Sequence, residues 1–238
     1  YYTCNKDTIL RKNLSLNTLF NDITEDKCTE GENLNPIFSS MEDFLIIEKL
    51  NNNICNDKNL HIIHRIDMTN REVVNIRPQE DIDEPYERFN WDAPILVSHH
   101  NPQKIYFGSQ RVWVSENRGD SWNAISGDLT KNEERFSLPI MGGMQSFDNA
   151  WDVYAMSTYN TITSLSESAL DKNILYVGTD DGIIQHTKDG GRNWTKLTVD
   201  KLPNTPKSAF VNDIKADLHD KNTAYVVLDN HKFGDYSP

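Results

Sequence analysis

Two acidic side chains follow a tryptophan directly in this sequence: Asp92 after Trp91 and Asp152 after Trp151. A carboxylate beside an aromatic platform suits carbohydrate chemistry, in which two carboxyl groups about 5–9.5 Å apart flank the scissile bond. Asp92 and Asp152 are therefore the candidate catalytic residues. The competing reading for each is a strand-end or loop carboxylate with its Trp packed. Trp91, Trp151, Tyr154 and Tyr159 are candidate ligand-binding aromatics. The last three fall within the aromatic-rich stretch Phe147 to Tyr159, whose other reading is packing on a neighbouring sheet. Beyond residue 60 the arginines (Arg65, Arg71, Arg77, Arg88, Arg111, Arg118, Arg135, Arg192) show no frame for gripping a substrate carboxylate. His99 and His100 are adjacent, and neighbours on a strand point to opposite faces, which suits joint metal ligation badly. Asp180-Asp181-Gly182 lacks the spaced oxygens and closing Glu of a calcium loop and reads as a hairpin turn. No GxSxG, P-loop, GxGxxG or HExxH occurs. Neither a metal nor a cofactor is expected.

Composition narrows the partners. The chain has 238 residues with 36 Asp+Glu against 24 Lys+Arg, a net charge of −12. Without a basic block, that balance argues against nucleic acid and anionic membranes and favours a basic or neutral partner. No apolar run approaches the ~18 residues of a membrane-spanning helix. Five Trp in a chain that is 10% aromatic exclude a disordered class. No basic segment leads into an apolar one, so no signal peptide is visible. The chain opens on Tyr1, which suggests a fragment or processed piece. Cys4, Cys28 and Cys55 lack CxxC spacing; one disulfide with a free thiol, and three thiols, both stay open. Asn13-Leu-Ser and Asn193-Trp-Thr are glycosylation sequons of a kind that arises often by chance.

The elements that must position these residues show themselves as repeats. Residues 1–60 are irregular and form an uncertain N-terminal segment, which a divergent blade would also explain. Within it, Phe44 to Ile47 fits a buried strand or part of a helix. From residue 61 the texture is strand and turn, beginning with a hairpin of Ile62–Ile66 and Val73–Ile76. Three segments then align without gaps: Ser98 to Tyr106, Ser168 to Tyr176 and Asp217 to Tyr225. Each carries a polar turn and then an apolar residue before Tyr, between two strand-like runs. The repeats start near 92, 161 and 210. Tyr106 to Tyr176 is 70 residues and Tyr176 to Tyr225 is 49. The longer interval holds an insertion at roughly Lys131 to Asn160. A period of about 50 with four strands marks a β-propeller blade.

Two repeats end in one octad, Ser/Thr-x-Asp/Asn-x-Gly-x-x-Trp: Ser115, Asn117, Gly119, Trp122 and Thr187, Asp189, Gly191, Trp194. Asn117 or Asp189 can bond the amides that follow it in a turn. Gly119 and Gly191 supply a positive φ. Trp122 and Trp194 open the next strand and pack over the turn. The octad reads as a folding device rather than a ligand contact.

This octad resembles the Asp-box, or BNR repeat, of sialidase-like and sortilin-like propellers. Together with Arg88 to Pro94, Ser126 to Thr130, Leu138 to Met141, Leu175 to Gly182 and Asp229 to His231, it makes residues 62–238 similar to the large bacterial secreted VPS10/sortilin-type proteins often labelled glycosyl hydrolases. Asn117 departs from the usual box Asp, though Asn can make the same bond. The resemblance implies an all-β fold of propeller blades, here incomplete, in a protein found outside the cytoplasm. With no catalytic frame in the residues, the leading expectation is a non-catalytic recognition scaffold for a protein, peptide or glycan. The alternatives are a carbohydrate hydrolase and a structural subunit of a larger assembly. The resemblance also implies a partner for the blades themselves, either the remainder of a larger propeller or another chain.

Overall fold

A computed structural model describes residues 61–67, 69–154 and 158–236, together with the backbone of two earlier strands. The three cysteines and the Asn13 sequon lie outside the described residues. The chain divides between Arg77 and Pro78 into two compact units.

The first unit holds one four-stranded antiparallel sheet in sequence order: β1 (Leu34–Asn35), β2 (Phe44–Leu50), β3 (His61–Asp67) and β4 (Val73–Asn75). The ambiguous Phe44 stretch is a strand. It pairs with β3 along its whole length, from Phe44 opposite Asp67 to Leu50 opposite His61. The sheet therefore runs across position 60. The β3–β4 turn is built by short polar side chains. Asp67 Oδ1 accepts from the Thr69 amide at 2.7 Å, and Asn70 Oδ1 accepts from the Glu72 amide at 2.8 Å.

The second unit contains the repeats. Two sheets are antiparallel with four strands each: β5 (Ile95–Val97), β6 (Ile105–Gly108), β7 (Val112–Ser115) and β8 (Asn123–Ala124), then β9 (Ile162–Glu167), β10 (Leu175–Thr179), β11 (Ile183–Thr187) and β12 (Thr195–Thr198). β13 (Phe210–Ala216) and β14 (Ala224–Asp229) form a two-stranded pair. The repeated polar segment is the first hairpin turn of each sheet. Its Tyr takes the same register each time, with Tyr106 opposite Leu96, Tyr176 opposite Ser166 and Tyr225 opposite Lys215. The first strands β5, β9 and β13 stand side by side and are linked through side chains rather than a shared ladder. This is an all-β partial propeller: two four-stranded blades and the first pair of another.

Burial follows position within a blade. The second strands β6 and β10 are buried at every residue, because both their faces are covered. The outer strands β8 and β12 are mostly exposed. One apolar cluster between the two full blades includes Val112, Val114, Ile162, Leu165, Leu175 and Val177, with Trp194 packed on it. A second, between β9–β12 and the last pair, includes Ile174, Tyr176, Ile184, Val199, Val211 and Ile214. Each such side chain contributes about 1.5–3 kcal/mol on leaving water.

The blades approach closely at Gly178. A Cβ there would lie 2.2 Å from Val211 Cγ1. Gly178→Ala is expected to cost about 1–3 kcal/mol by overpacking. Adding Val211→Ala should leave the double mutant more stable than the sum of the two single losses. Urea midpoints of the four proteins check this.

Candidate functional site

The two ends of the blades differ. One end carries the polar repeat turns and the octads. In the first octad Ser115 Oγ accepts from the Gly119 amide at 2.7 Å and donates to Asn117 Oδ1 at 2.9 Å. Asn117 Oδ1 also accepts from the Ser121 amide at 2.9 Å. Thr187, Asp189, Gly191 and Asn193 repeat the pattern at 2.8–3.0 Å. The Asn193 amide groups and the Thr187 hydroxyl hold the Asp189 carboxyl down at about 2. Gly119 and Gly191 have φ of 91° and 97°. Trp194 Nε1 reaches Ile125 O of the preceding blade at 3.2 Å and Gly191 O at 3.1 Å. The Trp122 ring lies 6.4 Å from that of Phe107. The hydroxyl of Ser115 or Thr187 is thus the hub of each octad.

At the other end, the segments leading into β5, β9 and β13 meet the β6–β7 and β10–β11 turns. Three fully or nearly buried carboxylates organise the blades. Glu87, before β5, accepts from Arg111 Nε at 2.6 Å, Trp113 Nε1 at 3.1 Å, Gln110 Nε2 at 3.2 Å and the Ser109 hydroxyl. Arg111 also pairs with Glu84 and lies over the Trp113 ring at 4.5 Å. Asp180 and Asp181 occupy the β10–β11 turn with no exposed surface. Asp180 accepts from the Thr161 amide and the Thr161 hydroxyl, both at 2.8 Å, and from Asn90 Nδ2 at 3.4 Å. Asp181 accepts from the Lys131 amide at 2.6 Å and from the Thr179 hydroxyl. Lys232, 8% exposed, brings its ammonium to 3.9 Å from Asp180 and over the Phe210 and Tyr159 rings at 4.9 and 5.6 Å. Burial pushes Asp180 up to about 7 and raises Asp181 as well, while it lowers Lys232.

These bonds fix the insertion at both ends. Lys131, at its start, hangs on Asp181, and Thr161, just past its end, hangs on Asp180. Asn160 clasps the neck: its Oδ1 accepts from the Glu133 amide at 2.9 Å, and its Nδ2 donates to Glu133 O at 2.7 Å. Arg88 adds a strut, with Nε on Asn160 O at 3.1 Å and Nη2 on Asp128 at 2.6 Å. Between the necks lie two short 3-10 turns, Arg135–Ser137 and Ile140–Gly142, and the five-residue helix α1 (Ala150–Tyr154). The Phe136 and Phe147 rings stack at 3.8 Å, and the Arg135 guanidinium covers Phe136 at 4.7 Å. Met141, Met144, Phe147 and Trp151 are 63–77% exposed.

The residues singled out in the sequence part company here. Trp151, Asp152 and Tyr154 share α1. Asp152 Oδ2 accepts from the Ser146 amide at 2.8 Å, and its carbonyl takes the Arg135 guanidinium. Asp92 is exposed in the turn before β5, its amide on Asn90 Oδ1 at 3.2 Å, with Trp91 half-buried. Among the described residues no polar contact joins Asp92 to Asp152. Tyr159 is buried beneath Lys232, and burial raises its hydroxyl, as do the Asp180 and Asp181 charges. His99 gives its amide to Glu167 at 2.7 Å, and His100 Nε2 meets Ser168 O at 2.9 Å. No group of three metal-ligating side chains occurs among the described residues. No helix among them is long and apolar enough to cross a membrane. Sequence reasoning missed Glu87, the Asp180–Asp181 pair as a buried site, and Lys232. The acidic doublet in a hairpin turn was the available signal; its burial was not visible.

No protein-family model matches the chain, and no curated protein does. Among solved structures, the chain is similar to a GH74 enzyme of Niastella koreensis at 12% identity and a TM-score of 0.28, over 81% of this chain and 38% of that one. It is similar to Raptor of Chaetomium thermophilum at 10% identity and a TM-score of 0.43, over 83% and 14%. It is also similar to YCF48 from Cyanidioschyzon merolae at 12% identity and a TM-score of 0.35, over 78% and 56%. The chain thus spans less than two thirds of each of these proteins.

The neck has its own test. Asn160 holds φ at 58°, a conformation Gly tolerates better than Ala. Asn160→Gly should lose the clasp alone, and Asn160→Ala should add backbone strain of about 1 kcal/mol. Both variants should exchange amide hydrogens faster across 131–154 while β9–β11 stay protected, and the Ala variant should have the lower urea midpoint.

Proposed function

We propose that these blades form a non-catalytic recognition module that binds a protein or peptide segment on the face carrying the 131–160 insertion. The observation that carries this reading is the set of large apolar side chains held outward on that insertion: Met141, Met144, Phe147 and Trp151. A soluble protein rarely gathers such groups in one exposed loop without a partner for them. Exposed Met suits adaptable contacts, and Trp is the residue most often found carrying binding energy. The loop is also anchored at both necks, so it presents this surface at reduced entropic cost. The net charge of −12 favours a segment with basic as well as apolar residues.

The octads support kinship with Asp-box propellers and, with it, a setting outside the cytoplasm. The blades would belong to a larger propeller or assemble with another chain. A hydrolase would need two carboxylates facing one bond, and Asp92 and Asp152 meet different partners in different segments.

A synthetic peptide array, ranging from basic-aromatic to acidic sequences, tests the module directly. Basic-aromatic peptides should be retained, and Trp151→Ala should weaken binding by about tenfold or more with the thermal midpoint nearly unchanged. Retention of no peptide would overturn this reading in favour of a structural subunit, and turnover of a polysaccharide panel that Asp92→Asn abolishes would replace it with the hydrolase.

A further inference from the structure

The Asp180–Asp181 turn leaves an imbalance of charge. Two carboxylates with no exposed surface face one buried ammonium, that of Lys232, 3.9 Å from Asp180. The groups around them do not remedy this. The Lys131 side chain reaches away to Lys207 O at 3.4 Å, and its charge favours ionised Asp181 less than burial opposes it. Asp229 beside Lys232, and Glu133 on the insertion, add negative charge, while Arg135 acts on Lys232 as a like charge. Tyr159 contributes a ring and a phenol whose ionisation these carboxylates oppose. Loss of the Lys232 proton would only enlarge the imbalance. A buried excess negative charge is costly, and binding a proton is the simplest relief.

The surroundings offer that proton a place. Thr161 Oγ1 lies 2.8 Å from Asp180 Oδ2 and 3.3 Å from Thr158 O. The hydroxyl can turn its hydrogen to Thr158 O and accept from a protonated Asp180. The Thr161 amide still donates to Asp180 Oδ1 in that state. The adjacent carboxylates hold the two ends of the insertion, Thr161 on Asp180 and Lys131 on Asp181. We infer that the Asp180–Asp181 pair is a proton-operated clamp on the neck of the 131–160 insertion, closed when the pair holds one proton and loosened when both carboxyls ionise. The inference concerns the loop itself and stands whether or not the loop binds a peptide.

The direction of the pH effect is fixed. Burial raises Asp180 from 3.8 to about 7, against the opposing pull of Lys232, and raises Asp181 too. A carboxyl raised on folding contributes stability that is complete below its unfolded value and lost as pH rises through its folded one. The loss therefore falls between 3.8 and about 7. Carboxylates such as Asp189, held at about 2, act only at lower pH. His186, lowered from 6.5 by burial, acts within this window with the opposite sign, and it is common to the parent and the variant, so their difference excludes it.

The test compares the full chain with Asp180→Asn, which copies the neutral carboxyl. At about pH 8 the variant should have the higher urea midpoint, and the gap should narrow through about pH 5 and close at about pH 4. In the parent protein the Lys131 and Thr161 amides should exchange several-fold faster at the higher pH after correction for intrinsic exchange, and in the variant they should not. A variant destabilised equally at both pH values overturns the clamp, because an ion pair with Lys232 then dominates. Should the variant fail to fold, the Asp180 carboxyl resonance of the parent decides. Titration near neutrality supports the clamp, and an Asp180 already ionised near pH 5 overturns it.

Discussion

First strands of neighbouring blades lie side by side without forming one sheet, so their lateral backbone groups need partners from side chains. An amide buried without one costs about 1–3 kcal/mol. The structure meets this demand at successive positions. Ser164 Oγ accepts from the Ile214 amide at 2.8 Å, and Ser166 Oγ accepts from the Ala216 amide at 3.0 Å. The Thr163 hydroxyl donates to Val211 O at 2.6 Å. One blade earlier, Glu167 takes the His99 amide at 2.7 Å, the Ser98 hydroxyl at 2.9 Å and the Tyr106 hydroxyl at 3.1 Å. These contacts set the spacing at which the apolar clusters between blades can close. They also explain why β9, buried nearly throughout, carries Thr, Ser, Ser and Glu among its six residues.

That pattern marks the limit of what the sequence disclosed. The repeated Tyr and its polar turn gave the hairpins and their register, because turn chemistry is local and spacing is countable. The octad was legible for the same reason. The seven-residue strand β2 was not, because Phe44 to Ile47 is apolar throughout and shows no period. The hydroxyls of Ser164 and Ser166 looked like ordinary strand polar residues; their partners lie about fifty residues onward. Asp180 and Asp181 read as a hairpin turn, which they form, but nothing local showed that Asn90, Thr161, Lys131 and Lys232 gather around it. Lys232 gave no sign at all, since its partner is 52 positions earlier in the chain. Long-range burial of polar groups is what periodicity and motif spacing cannot report.

The two ends of the blades therefore divide the work. Each octad closes on itself through contacts within four residues, while Trp194 on Ile125 O and Glu167 on the His99 amide tie that end across the blades. The opposite end is built from contacts across 20 to 90 positions, such as Asn90 with Asp180 and Arg88 with Asn160. Local turns reform independently after a fluctuation, while a long-range network opens only in concert.

The clasp of Asn160 on Glu133 has a consequence for design. Both ends of the insertion are set within a few ångströms by bonds that involve none of the residues between them. The interval is thus a cassette whose closure is already achieved by the frame. Lengthening such a loop costs little, roughly 0.6 kcal/mol for each doubling. Foreign segments of different length could be spliced between these necks while the blades beneath keep their register, provided they keep a side chain in the place of the buried Ile140, which makes the outer part of this face a place to display sequence rather than a place that depends on it.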